Sequence, residues 1–422
     1  MKKLAVMILL AFIACSVSAQ SLVDIYKNGN VKLIPDKEFA KGNDWNKVFA
    51  SYKDSLYGKA VGLRKSLKIT PVGSIVVNNA YRNFYTKFSA DGKFEKEFGI
   101  TDSNGKRFKK KEDIAGIINN NFFSGLDNMG NMICFDMEGR YSKTLKLDYM
   151  TRQMIPLPNN KIAVVGWVIW KEKFRDFVAI VDYETNEEKV IWEHFTDRCA
   201  GTQHCNMFNY SFEYGKQGSY GITTMPFSKS TGVESPVIAS VGAKLIIAIP
   251  KTGEILQFDL DGNLQSKDKI EWASNTISVE EQKEIQKKAI EKFKALKPKF
   301  AIGDYAEKNT KGFEKALLEM ETDLKQITKP IPTPVFSTVI KDSDNNLLFF
   351  EFPKEKGANK FNVWIYKSNG SFVGSSSFEC DDYNLQINPS KMVFYKGYIY
   401  ALQELKEASD IPLRLVRFRV TN

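Results

Sequence analysis

The feature that most constrains this chain is a spaced recurrence of aromatic or β-branched anchors, most of them opening a short Phe-x-x-x-Gly turn. They are Phe88 (FSADGKF), Phe135 (FDMEGRY), Val181 (VDYETNE), Phe258 (FDLDGNL), Tyr366 (YKSNGSF) and Phe418 (FRVTN). Phe88 to Phe135 is a step of 47 residues, Phe135 to Val181 one of 46, and Tyr366 to Phe418 one of 52. The other two steps, 77 and 108, are longer, so each holds an insertion. A period of ~40–50 residues built on strands and tight turns is what a β-propeller blade requires.

The first full repeat shows why. Gly73-Ser74 turns into the apolar run Ile75-Val76-Val77, and Asn78-Asn79 read as a second turn before Phe84–Phe88. Asp91-Gly92 suits a tight hairpin, and Phe94 to Phe98 read as an alternating, half-exposed strand. The chain stops just after Phe418, so the last repeat lacks the strand that follows the anchor elsewhere. Val31–Ile34 is a spare strand ahead of the first repeat. Pairing the two would remove an open edge from each blade. The expected fold is all-β: a six-bladed β-propeller closed by an N-terminal strand, one domain over residues 20–422. A seventh blade could hide only in residues 193–235.

The longest step contains two helices, within residues 277–327. Ser278 and Glu281 have capping-box spacing. Ile285, Ala289, Phe293 and Leu296 then fall on one face, ended by Pro298, and Phe313, Ala316, Leu317, Met320 and Leu324 make a second stripe. The helices are expected to pack on each other and on the ring's rim. The second insertion, 193–225, reads as a surface loop.

Residues 1–19 have the marks of a secretory signal peptide: Lys2-Lys3, an apolar run from Leu4 to Ala14, and Val17-Ser18-Ala19 before Gln20. Cys15 raises a lipoprotein alternative, weakened by Phe12. No later segment has the ~18 apolar residues of a membrane span. The expected location is the periplasm or the cell surface. Of 60 basic and 50 acidic residues, loss of Lys2 and Lys3 leaves a net charge of about +8. The charges are dispersed apart from Lys106–Lys111, which Glu112 and Asp113 follow and which reads as a solvated loop; for an exported protein an acidic glycan or an anionic membrane surface is a better polyanion partner than nucleic acid.

The stretch SIVVNNAYRNFYTKFSADGKFEKEFG resembles NHL-type blades, and with the leader it resembles the exported six-bladed NHL/TolB-like propellers of Bacteroidetes. The NHL pattern usually sets Asp and Asn about a turn before an Arg; Asn78, Asn79 and Arg82 stand there in this chain. The resemblance implies a ring whose mouth binds a ligand or partner. It carries no catalytic signature.

The chain has two histidines, His194 and His204, flanking Cys199 and Cys205 in EHFTDRCAGTQHC. Zinc would accept such ligands, but the adjacent His204 and Cys205 cannot easily reach one ion, and neither C-x-x-C nor H-x-x-x-H occurs. In an oxidising compartment a Cys199–Cys205 disulfide is the favoured reading, with free thiols or a metal as alternatives. Cys134 reads as a buried strand thiol, and a Cys134–Cys380 bond would have to span several blades. Asp342–Asn346 (DSDNN) lacks the Gly and Glu of a calcium loop and reads as a turn. Asp381-Asp382 could be paired acids or a strand end. No cofactor motif occurs.

The aromatics Tyr81, Tyr85, Trp167, Trp170 and Trp364 suit sugar stacking as well as packing between blades. The binding candidates are Asn79, Tyr81, Arg82, Trp167 and Trp170. The expected function is a monomeric, non-catalytic propeller binding a protein or glycan at one mouth. Two alternatives stand beside it. One is an acidic-glycan lyase or hydrolase using His194 or His204, which requires a histidine to converge with a carboxylate or an arginine. The other is a structural docking platform for envelope assembly.

Overall fold

The computed structural model describes residues 21–49, 65–79, 84–102, 104–106, 114–126, 131–170, 173–197, 208–213, 219–224, 235–270, 276–295, 297, 306–332, 334–351, 359–407, 409 and 411–422. The chain forms two compact units. One joins residues up to Gly99 with Ile340–Asn422; the other is Ile100–Val339. Both are built from antiparallel groups of four strands, a β-propeller-like arrangement.

Every anchor lies in the third strand of such a group, opposite a residue near the start of the second: Phe88 faces Ile75, Phe135 faces Phe122, Val181 faces Ile162, Phe258 faces Leu245, Tyr366 faces Leu347 and Phe418 faces Ile399. In four groups the ladder to the fourth strand slips by one residue at the anchor. The turn that follows supplies the physical reason. In Asp136–Arg140, Asp136 Oδ1 accepts from the backbone N–H of Glu138 and Arg140 (3.0 and 2.9 Å), and Gly139 takes φ +86°. Asp259 repeats this with the N–H groups of Asp261 and Asn263.

In the first unit one sheet comprises Lys65–Ile69, Ile75–Asn79, Phe84–Phe88 and Phe94–Phe98. Asn78 and Asn79 belong to the second of these strands rather than to a turn. Phe94–Phe98, the outermost strand of its sheet, is exposed along nearly its whole length. The other sheet runs Thr338–Lys341, Leu347–Phe350, Lys360–Tyr366, Phe372–Glu379, then Val31–Pro35, Leu413–Thr421 and Tyr398–Leu405, which also pairs Met392–Tyr395 and Tyr383–Asn384. The N-terminal strand lies antiparallel to the last one, Leu33 opposite Val420 and Pro35 opposite Phe418. Its other edge makes a short parallel contact, Val31 with Phe378.

The segment after this strand binds the first sheet to the chain's last strands. Ala40 N–H donates to Asp91 O at 2.8 Å, and Asn43 Nδ2 to Gly92 O at 2.8 Å. Gly92 has φ +82°, and any Cβ there would lie 2.6 Å from the Phe39 ring, so both turn and contact demand glycine. Two short helices flank the strand, α1 (Leu22–Lys27) and α2 (Trp45–Val48). Asp36 caps the arrangement: its carboxylate takes Arg417 Nη2 at 2.6 Å, and that guanidinium lies 4.9 Å from the Phe39 ring and 4.8 Å from the Tyr398 ring.

Burial pushes the Asp36 carboxyl pKa up, but the Arg417 hydrogen bond, the Glu38 N–H and the charges of Arg417 and Arg419 outweigh it and hold it below the ordinary value. A depressed pKa contributes stability that is whole above the unfolded value of about 4 and is lost as pH falls through the folded value. Asp36→Asn is therefore expected to cost about 2 kcal/mol at neutral pH, less than a fully buried pair because Arg417 is 22% exposed. Urea unfolding of both proteins should show the gap closing below about pH 4; a gap independent of pH would assign the cost to packing instead.

The second unit has three four-stranded sheets: Ile114–Ile118, Asn121–Leu126, Asn131–Asp136 and Tyr141–Lys146; Met150–Leu157, Lys161–Trp170, Lys173–Asp182 and Glu188–Asp197; and Val237–Val241, Lys244–Ile249, Glu254–Asp259 and Leu264–Lys269. Within the expected 193–225 loop, Glu193–Asp197 prolong a strand, and Phe208–Glu213 pairs with Ser219–Thr224 as a two-stranded ribbon.

Helices α3 (Val279–Lys294) and α4 (Ala306–Gln326) rise from a second ribbon, Thr276–Ile277 with Ile331–Pro332. Ser278 Oγ caps α3, accepting from Glu281 N–H at 3.1 Å. The α4 stripe holds, with Phe313, Ala316 and Met320 buried, while the buried face of α3 is Gln282, Gln286, Ile290 and Phe293, leaving Ile285 and Ala289 at its margin. The two glutamines turn inward because their amides donate to carbonyls of Ile277, Lys329 and Met320. The helices pack on each other, with Phe293 stacked on Phe313 at 4.3 Å.

Candidate functional site

The third four-stranded sheet, Met150–Asp197, differs from the others in length. Its second, third and fourth strands have ten residues each, against five or six in the three other separate four-stranded sheets. The excess projects one end of the sheet. Along that end Trp167 stands opposite Asp176, and Asp176 opposite His194. Paired residues on neighbouring antiparallel strands share a face with Cβ atoms ~4.5–5.5 Å apart, so ring, carboxylate and imidazole form a row.

A fourth side chain enters from the first strand by a register slip. Thr151 pairs with Gly166 and Gln153 with Val165, which leaves Arg152 as the extra residue of a β-bulge. The bulge aims its guanidinium at the row: Arg152 Nε lies 3.4 Å from Asp176 Oδ1, and the guanidinium carbon 5.7 Å from the Trp167 ring centre. Ser235 Oγ donates to the same Asp176 oxygen at 3.2 Å. The Asp176 side chain is only 6% exposed and that of Arg152 47% exposed. A buried carboxylate is retained only where cations and donors replace its water, and Arg152 and Ser235 do so here. His194 is exposed, and its ring stacks on Trp192 at 6.2 Å and 24°.

Of the residues singled out from sequence, Trp167 and His194 come together in this row. Asn79 and Trp170 lie in strands whose side chains at those positions are outside the described residues; Tyr81, Arg82, Cys199, His204 and Cys205 lie outside them altogether, as does the leader with Cys15. Tyr85 is a buried strand residue and Trp364 is half-buried. Asp381 and Asp382 are exposed. Asp342 sits in a pre-strand turn, accepting from Asp344 N–H, Asn346 N–H and Nδ2, and Tyr26 OH.

Cys134 and Cys380 are buried free thiols, and burial pushes the Cys134 pKa up to about 11. Among the described residues no group of three or more His, Cys, Asp or Glu could hold a metal, and no helix is long and apolar enough to cross a membrane.

Sequence reading missed Arg152 and Asp176. The available signal was Asp176 inside KFRDFVAIVD, a charge within an otherwise apolar run.

No protein-family model matches the chain, and no curated relative does. Among solved structures, a member of the DUF4221 family from Bacteroides vulgatus is similar at 10% identity, with 93% of this chain and 99% of that one covered and a TM-score of 0.50. Weaker likenesses are to virginiamycin B lyase from Staphylococcus aureus (11% identity, 86% and 97% covered, TM-score 0.37) and to the calcium-binding protein regucalcin from Agrobacterium tumefaciens (8%, 85% and 88%, 0.39). The similarity to the Bacteroides vulgatus protein is one of fold alone.

Proposed function

We propose that this protein is an exported six-bladed propeller, closed by Val31–Pro35, that binds a glycan without transforming it. The observation that carries the reading is the row Trp167–Asp176–His194 joined by Arg152 on the extended end of one sheet. A sugar ring has an apolar face and a rim of hydroxyls. An aromatic face beside a guanidinium and an imidazole, with the buried Asp176 carboxylate behind them, offers stacking together with polar partners for that rim. In this reading Trp170, on the same strand as Trp167, is a further contact residue, and Cys199 and Cys205 form a disulfide.

The test is titration of the protein with a panel of neutral and acidic oligosaccharides by calorimetry. Binding of at least one class is expected, and Trp167→Ala should weaken it roughly tenfold, taking the loss of one stacked ring as about 1–3 kcal/mol by analogy with a nucleobase on an aromatic side chain. Absence of binding across the panel would sink the reading.

One observation favours a second reading, the cross-strand pairing of Asp176 with His194. A carboxylate beside an exposed imidazole is the minimum for general acid–base chemistry on an acidic glycan. It predicts chain cleavage that His194→Ala abolishes. Intact oligosaccharide recovered after long incubation would leave the binding reading alone.

A further inference from the structure

We infer that the glycan bound at this site is acidic, and that Arg152 receives the carboxylate of a uronic acid residue. The inference rests on the binding reading above and adds the ligand's chemistry. Arg152 is the extra residue of a bulge, a device that re-aims one side chain without disturbing the ladder on either side. The aim is guided from two directions, by the ion pair of Nε with Asp176 Oδ1 and by the Trp167 ring 5.7 Å from the guanidinium carbon. The nearest approach to Asp176 is made by Nε, and among the described residues no hydrogen bond occupies either Nη atom. A guanidinium held by Nε and supported by a ring presents two parallel N–H groups outward, the fork that matches the two oxygens of a carboxylate.

Asp176 would be the positioning residue. Buried and acceptor-only, it sets the orientation of Arg152 instead of meeting the ligand. His194, across the row, lies within reach of a hydroxyl on the same sugar. The chain's positive net charge raises the local concentration of an acidic polymer.

The experiment compares galacturonate oligomers with their methyl esters, which keep the shape and remove the charge, by calorimetry at fixed salt. The wild-type protein is expected to bind the acid roughly 10–100-fold more tightly than the ester, the range for hydrogen bonds to a charged group. Arg152→Met should bind the acid no more tightly than the ester. Arg152→Lys, which keeps the charge and loses the fork, should fall between; its thermal midpoint checks that the fold survives. In Asp176→Asn the acid preference should shrink while ester binding persists, which a purely structural role would not produce. A sulfated oligomer matching galacturonate in affinity would overturn the carboxylate assignment. Equal binding of acid and ester would overturn the whole inference while leaving the glycan reading standing, whereas no binding of any oligosaccharide would remove both.

Discussion

Replacing Phe88 by alanine is expected to destabilise the unit formed by residues up to 99 and 340–422 by about 4 kcal/mol, the upper range for emptying a fully buried aromatic site. Phe88 is fully buried and meets three other rings, Trp45 at 6.4 Å, Phe49 at 6.1 Å and Phe94 at 6.3 Å. Two of these belong to the segment that follows the N-terminal strand. The truncation therefore opens a cavity and also loosens α2 from the first sheet. Phe94→Ala, at the exposed end of the same cluster, should cost about 1 kcal/mol because 42% of the residue already faces water. Urea denaturation of the two variants measures the difference. Similar costs for both would mean that Phe88 acts as a strand residue and not as the anchor of its turn.

The repeat was legible because it rests on local chemistry. An apolar anchor, an Asp or Ser that takes backbone N–H groups, and a glycine at positive φ lie within a few residues of one another. The capping of α3 by Ser278 was legible for the same reason. Gln282 and Gln286 defeated the periodicity argument, since their burial depends on carbonyls of Lys329 and Met320, distant in sequence. The candidate site was half legible. Trp167 and His194 drew notice as residue types, but nothing local says that they flank Asp176 across three strands. The bulge that delivers Arg152 is a register slip against a partner strand, and a register is a property of two segments. Polar residues buried by distant partners are where pattern reading runs out.

The N-terminal strand offers a sharper test, because two adjacent residues in it should behave oppositely. Leu33 is 1% exposed and packs among Val31, Val363, Phe378 and Phe418 in one cluster, whereas Ile34 is 45% exposed. Leu33→Ala is expected to cost about 3 kcal/mol, the middle of the range for leucine truncation in a core. Ile34→Ala should fall within about 0.5 kcal/mol of the parent, as surface substitutions do. The alternation follows from the pairing of Leu33 with Val420 and Ile34 with Arg419, which fixes the faces of the strand for as long as the register holds. A one-residue slip would exchange them and reverse the two costs. The larger loss should also raise susceptibility to proteolysis in both Val31–Pro35 and Leu413–Thr421, because the two strands are hydrogen-bonded to each other. Cleavage confined to the N-terminal segment, with Leu413–Thr421 still protected, would show that pairing with Tyr398–Leu405 is enough to hold the last strand in place.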